Sequence, residues 1–266
     1  MIAAVLQLNA QGLSSTKLYN YIRVAHKKNV KVLLLGEYVL NPFFKELESM
    51  SLSMIKEQAL SQIKILKELS TTYNMTIVAP LVIVKKKELY KTVAKFSPNS
   101  TSYYNQQILI NYSHWNEKKF FANSHNEEIH SPLIFKVDNF KFAIISGFEL
   151  HFDEMWSEIS HKNVDCVLLP SVSTFESFQR WKALIVARSF THNCYVLRAN
   201  RIGEYKDKEF NWEFYGDSIL TSPHGEVVEH LGNKEELMVV DMSHTEVVHA
   251  RRTWGFKESI SQRVQS

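Results

Sequence analysis

Apolar and polar positions follow two rhythms along this chain. Residues 2–8 form an apolar run of strand length, and residues 30–35 form another. Between them, residues 14–29 place Leu18, Tyr21, Ile22 and Ala25 at helical spacing, with Ser14, Ser15 and Thr16 as cap candidates. The second strand is too apolar to have a wet face, so the trio predicts a βαβ unit with parallel pairing. Asn41-Pro42 breaks the chain. Residues 53–73 predict a long amphipathic helix, with Ile55, Leu60, Ile63, Leu66 and Leu69 on one side. A strand over 75–84 follows, then an exposed turn at Lys85-Lys86-Lys87. Strands over 89–96 and 107–112 lie either side of the turn-rich Ser97-Pro98-Asn99-Ser100. Residues 113–131 are polar and irregular, the longest loop-like stretch. Further strands are predicted over 133–137, 142–146, 165–170 and 194–199, and a helix over 178–191. Strands over 218–221 and 226–231 flank a Ser-Pro-His-Gly turn, a hairpin signal. The last forty residues hold one more strand, 237–240, and a polar tail. Strands and helices alternate with hairpins inserted, which predicts mixed sheets covered by helices. No repeat, linker or composition shift divides the chain, so one α/β domain over 1–266 is expected.

Composition narrows the class. The chain has 266 residues, 45% hydrophobic and 22% charged, as in an ordinary globular domain. A net charge of +3 gives no clustered basic face, so no nucleic-acid partner is expected. Cys166 and Cys194 sit in apolar runs and read as small buried hydrophobes, without disulfide or zinc spacing. That points to a reducing compartment. The first residues read as a strand and not as a signal peptide, and no apolar run approaches the ~20 residues of a membrane span. A cytoplasmic location with no membrane partner is the expectation. His125, His130, His151 and His161 lack metal-ligand spacing, so neither a metal nor an organic cofactor is expected.

Candidate chemistry lies in three segments. Residues 140–154 read Phe-Lys-Phe-Ala-Ile-Ile-Ser-Gly-Phe-Glu-Leu-His-Phe-Asp-Glu. This resembles the nucleophile strand of the carbon–nitrogen hydrolase (nitrilase) superfamily: an apolar run, Cys, an aromatic, Asp or Glu, then Phe-Pro-Glu. Aligned without gaps, the Cys position falls on Gly147, with Glu149 and Glu154 at the acids. Ser146 is one residue away; on a strand it would point to the opposite face and could replace the Cys only if the strand were bulged. Val32-Leu33-Leu34-Leu35-Gly36-Glu37-Tyr38 resembles the superfamily's apolar strand followed by Pro-Glu, with Glu37 at the general base and Gly36 in place of Pro. Where the superfamily has Tyr-Arg-Lys-x-His, Tyr112-Ser113-His114-Trp115-Asn116 puts His114 at the Lys position, with Lys118 and Lys119 nearby. Glu117-Lys118-Lys119-Phe120-Phe121 resembles a following Glu-Lys-Phe-Tyr-Phe motif, a resemblance that implies Glu117 matches the second active-site glutamate of many relatives.

The resemblance continues in order downstream. Val167-Leu168-Leu169-Pro170, Arg180-Trp181, Ala187-Arg188-Ser189, Ala199-Asn200-Arg201-Ile202-Gly203 and Phe214-Tyr215-Gly216-Asp217-Ser218 each match a superfamily motif. Pro223-His224-Gly225-Glu226 and Arg252-Thr253-Trp254-Gly255 do so too, and the details are most similar to N-carbamoylputrescine amidases. Trp181 reads as core, Arg188 as the partner of a buried carboxylate, and Asn200-Arg201 as closing a strand end. The resemblance implies a four-layer α-β-β-α sandwich, taken as half a sandwich per monomer completed by pairing, and a homodimer or higher oligomer.

It also implies a reaction in which a thiolate attacks, a Glu moves protons and a Lys steadies the oxyanion. Glycine offers no attacking atom, and losing the nucleophile of such a site costs a factor of about 10⁶ in turnover. A histidine at the Lys position is partly neutral near pH 7. The leading expectation is therefore a catalytically degenerate member. It would bind a small amide- or amine-like ligand through Glu37, His114, Glu149, His151 and Ser171, or associate with a protein partner. The alternative is an active amidohydrolase that splits the C–N bond of an N-carbamoyl amine or amide by a thiol-free mechanism based on Glu37.

Overall fold

The structure is a computed structural model that describes residues 1–11, 16–124, 128–174 and 176–259. Ser14, Ser15 and His125 lie outside them. In chain order the first half carries β1 (Ile2–Gln7), α1 (Thr16–Lys27), β2 (Val32–Leu35), α2 (Phe44–Leu47), α3 (Leu52–Tyr73), β3 (Thr76–Lys85), β4 (Glu88–Ser97), β5 (Ser100–Asn105) and α4 (Glu117–Phe120). The second half carries β6 (Leu133–Val137), β7 (Phe140–Ile144), a 3-10 turn (Gly147–His151), α5 (Asp153–His161), β8 (Cys166–Pro170), α6 (Phe178–His192) and β9 (Tyr195–Ala199). Then come β10 (Ile202–Lys206), β11 (Asn211–Tyr215), β12 (Ile219–Thr221), β13 (Val227–His230), β14 (Glu236–Asp241) and α7 (His244–Trp254).

Two six-stranded sheets result, ordered β14-β1-β2-β3-β4-β5 and β13-β12-β9-β8-β7-β6, with β10 and β11 as a separate ribbon. The expected βαβ unit is present: β1 and β2 pair in parallel, Ala3 opposite Val32. Strand alternation sorts the side chains into layers. Ala4, Leu6, Leu33 and Leu35 pack with Leu18 and Ile22 of α1 and Leu66 and Leu69 of α3. Their neighbours Ala3, Val5, Val32 and Leu34 join a cluster with Phe142, Ile144 and Leu168 of the other sheet and with Met155, Trp156 and Ile185 of α5 and α6. Helix, sheet, sheet and helix thus lie within one chain. The four layers are complete without a second copy, which corrects the half sandwich per monomer.

Several elements depart from the pattern reading. The strand placed at 107–112 is β5, at Ser100–Asn105. Ser97 and Ser100 close the β4–β5 turn through their hydroxyls (2.7 Å), so pairing starts at once. Residue 107 has other partners: its N–H donates to Glu149 and its side chain bridges the backbone of His130. Leu60 is exposed, because the buried stripe of α3 runs through Ile55, Ala59, Gln62, Leu66 and Leu69. Helix α7 occupies the expected polar tail; only Val247 and Ala250 of it are buried, too few to show a period.

Candidate functional site

The carboxyl ends of β2, β7, β8 and β9 converge, the usual place for a ligand in a parallel sheet. The Glu37 N–H donates to the Ser171 carbonyl (3.1 Å), and the Ser171 N–H to the Ala199 carbonyl (2.8 Å). Gly36 permits this closeness: a Cβ there would lie 3.1 Å from the Arg201 nitrogen. Beyond β9, Asn200 donates to the Gly216 carbonyl (2.5 Å) and Arg201 to the Tyr38 carbonyl (3.0 Å), closing the strand ends as expected.

Glu37 sits at the centre, 2% exposed. Its Oε1 accepts from the Ser146 hydroxyl at 3.0 Å, and its Oε2 meets Lys91 Nζ at 2.8 Å. Lys91 projects from β4, 4% exposed, and also donates to both oxygens of Glu117 at 2.8 and 2.9 Å. Tyr38 completes this knot by donating to Glu117 Oε1 at 2.6 Å. Burial pushes the Glu37 carboxyl up against the downward pull of Lys91. It also works to lower the Lys91 ammonium, but Glu117 and Glu37 outweigh it and the net direction is up. One lysine shared by two carboxylates leaves an excess of negative charge, so Lys91 holds its proton.

Gly147 faces this centre at φ +42°, and a Cβ built on it would lie 2.5 Å from Glu37 Oε1. Ser146 faces it as well, against the expectation that the two point apart. Strand β7 ends at Ile144, and residue 147 already begins the 3-10 turn, so strand alternation no longer applies. The Ser146 hydroxyl also lies 3.3 Å from Gln106 Oε1.

Glu149 is buried and acts as a clamp. It accepts from the Ser146 N–H (2.9 Å), the Gln107 N–H (2.6 Å) and the Tyr104 hydroxyl (2.8 Å), tying the turn to the 106–107 segment. Burial raises its carboxyl to about 7, against the pull of those donors.

The remaining expected residues lie apart. His114 is exposed, stacked on Tyr112 at 5.7 Å and edge-on to Trp212 at 6.4 Å. The cation beside Glu37 is Lys91; Lys118 and Lys119 are exposed. Tyr104-Asn105-Gln106 carries the same Tyr-x-x spacing as Tyr112-Ser113-His114, and its third side chain reaches Ser146. His151 is exposed, its Nδ1 2.9 Å from the Phe148 carbonyl. Ser171 is buried and accepts from Arg198 Nε at 2.9 Å, so it holds strand ends together. Glu154 is exposed, Trp181 is only partly buried, and Arg188 pairs with Asp153, an exposed carboxylate, at 2.6 Å.

Sequence reasoning missed Lys91, Gln106 and Asn123. Lys91 shares strand parity with Val93, whose side chain faces the inter-sheet core, and a lysine on that face signals buried carboxylates nearby. Asn123 Oδ1 accepts from the Lys91 N–H, and its Nδ2 donates to the carbonyls of Lys91 and Gln106. Aromatics wall one side: Trp115 stacks on Trp212 at 5.3 Å, with Tyr38, Phe43 and Phe214 in the same cluster.

Space at the centre is small. A cavity of about 10 Å³, lined by Glu37, Tyr38, Asn41 and Lys91 among others, is the size of one water. A wider groove of about 580 Å³ runs past Tyr104, Gln106, Gln107, Lys118 and His130. Gln106 belongs to both the centre and the groove.

The carbon–nitrogen hydrolase family model matches residues 3–252. The chain belongs to the carbon–nitrogen hydrolase family. It is 22% identical over 260 residues to an N-carbamoylputrescine amidase of Oryza sativa subsp. japonica, covering 88% of this chain and 82% of that one. It is 23% identical over 119 residues to the 2-oxoglutaramate amidase of Bacillus subtilis (strain 168), matching 45% of this chain and 44% of that amidase, less than half its length. A carbon–nitrogen hydrolase crystal structure from Helicobacter pylori G27 superposes with a TM-score of 0.84 at 18% identity, over 97% of this chain and 94% of that chain. The family's nitrilase-like α/β architecture accounts for both sheets and the site at their carboxyl edge. Among the described residues, no helix is long and apolar enough to cross a membrane.

Proposed function

We propose that this carbon–nitrogen hydrolase family member has lost thiol chemistry and binds a small neutral amide in the groove beside Gln106. One observation carries the reading: the position that faces Glu37 is Gly147, which has no atom to attack a carbonyl. Gln106, the third residue of Tyr104-Asn105-Gln106, stands in this reading at the Lys position and presents an amide. The groove volume falls within the ~300–1,000 Å³ of small-molecule sites. A neutral ligand is favoured over an amine, because Lys91 already sits between the two carboxylates. The experiment is calorimetric titration with primary amides and N-carbamoyl amines, with ammonia release followed in parallel. Binding without ammonia release is expected; no heat with any amide would contradict the reading.

A second reading rests on Ser146. Its hydroxyl donates to Glu37 at 3.0 Å, the nucleophile–base contact a serine hydrolase requires. Glu37 would take the hydroxyl proton as oxygen attacked the amide carbon and give it to the nitrogen as the C–N bond broke and ammonia left, and water would then hydrolyse the serine ester. Ammonia release abolished by Ser146→Ala would favour it.

A further inference from the structure

Lys91 reaches Glu37 from the middle of a strand pair, whereas Gln106, on the loop after β5, is neutral and touches the centre through Ser146. The lysine is fixed at both ends. Asn123 holds its backbone N–H and carbonyl, and its Nζ lies 2.8 Å from Glu37 Oε2 and 2.8 Å from Glu117 Oε1, with the Tyr38 ring centroid 5.1 Å away. Glu37 therefore carries its cation on Oε2 and turns Oε1 to Ser146 and to the side-chain direction of Gly147. A family site needs a cation beside the base and nucleophile, because charge develops on the attacked oxygen.

We propose that Lys91 is the cation of this centre, supplied from β4 in place of the loop position that Gln106 fills, so that the cationic role survives where the nucleophile does not. The inference rests on the reading of Gly147 as the vacated nucleophile position. It predicts that a thiol introduced there senses Lys91 and not His114. The charged and titratable groups around that position are Glu37, which a Cβ there would touch, Lys91 on β4, Glu117 on α4 and Tyr38 linked to it, and Glu149 on the 3-10 turn itself.

The test is a titration of thiolate absorbance near ~240 nm in Gly147→Cys, with the wild-type signal subtracted. Burial pushes the thiols of Cys166 and Cys194 up, that of Cys194 to about 12, so they stay silent. Adding Lys91→Gln should raise the midpoint by about 1 pH unit or more, the effect of losing a nearby opposite charge. Adding His114→Gln should leave it in place. An unmoved midpoint in the Lys91 variant, or an equal rise in the His114 variant, overturns the proposal. The glycine sits at positive φ, so the cysteine variant can fail to fold. Lysine-side-chain ¹⁵N NMR of the unaltered chain is the second measurement. The Lys91 ammonium should give a slowly exchanging signal that shifts in Glu37→Gln; a signal indifferent to that change overturns the proposal. Wild-type ammonia release, measured beside these, is the result that would sink the vacated-nucleophile reading, so the two failures are distinguishable.

Discussion

Glu149 shows how one buried carboxyl can make stability depend on pH. Its carboxyl titrates at about 7 when folded, against an ordinary 4.5. Between those values the folded protein holds a proton that the unfolded chain has released, so stability falls as pH rises through that window. The contribution is fully present below 4.5 and lost above about 7, and it amounts to about 3 kcal/mol. Urea denaturation at stepped pH should therefore show wild type losing stability relative to Glu149→Gln across that range; a pH-independent difference would contradict it. Removing Lys91 should cost stability outright. Lys91→Met leaves Glu37 and Glu117 buried without their cation and should cost about 3–5 kcal/mol in the same assay, whereas exposed His114→Ala should stay within about 0.5 kcal/mol. Glu37, Glu117 and Gly147 were legible in the sequence, because each sits in a run of neighbours that fixes its register. Lys91 was not, because nothing local marks a lysine as inward; only the fold brings it to Glu37 and Glu117, residues 54 and 26 positions away.

At the scale of elements, the centre depends on segments with no regular structure of their own. Residues 106–107 and 123 lie beside β4: the Gln106 N–H donates to the Lys91 carbonyl at 3.1 Å, and Asn123 adds one acceptor and two donations, all to backbone. Asn123→Ala strands the Lys91 N–H and the Gln106 carbonyl and should lower stability by about 2–4 kcal/mol, read by urea denaturation. Asn123→Asp should recover only the bond from the Lys91 N–H. The aromatic wall is a second support: Trp212 of β11 stacks on Trp115, so Trp212→Ala should cost about 3–5 kcal/mol and expose the α4 side of the centre to quenchers of Trp115 fluorescence. Elements with a strong period, such as β1, α1, β2 and α3, were legible to within a few residues. Those set by partners were not. Strand β5 follows from a two-serine turn, α7 shows two buried side chains, and the β10–β11 ribbon pairs with neither large sheet.

For the whole molecule, two sheets pack face to face with helices outside, and the site sits where the carboxyl ends of β2, β7, β8 and β9 meet. This frame is a family property, visible in sequence as ordered motifs from Glu37 to Gly255. What the frame does with its site is decided by few atoms. Glu37 and Lys91 lie 2.8 Å apart, and Gly147 and Ser146 face Glu37 from the turn after β7. The central claim is that this chain holds a hydrolase frame whose nucleophile is gone. Ammonia release from a panel of primary amides and N-carbamoyl amines tests it most directly, with wild type, Glu37→Gln and Gly147→Cys assayed side by side. Wild type and Glu37→Gln should be equally inactive, and Gly147→Cys alone, with Lys91 in place, should gain turnover. Wild-type turnover that Glu37→Gln abolishes would contradict it.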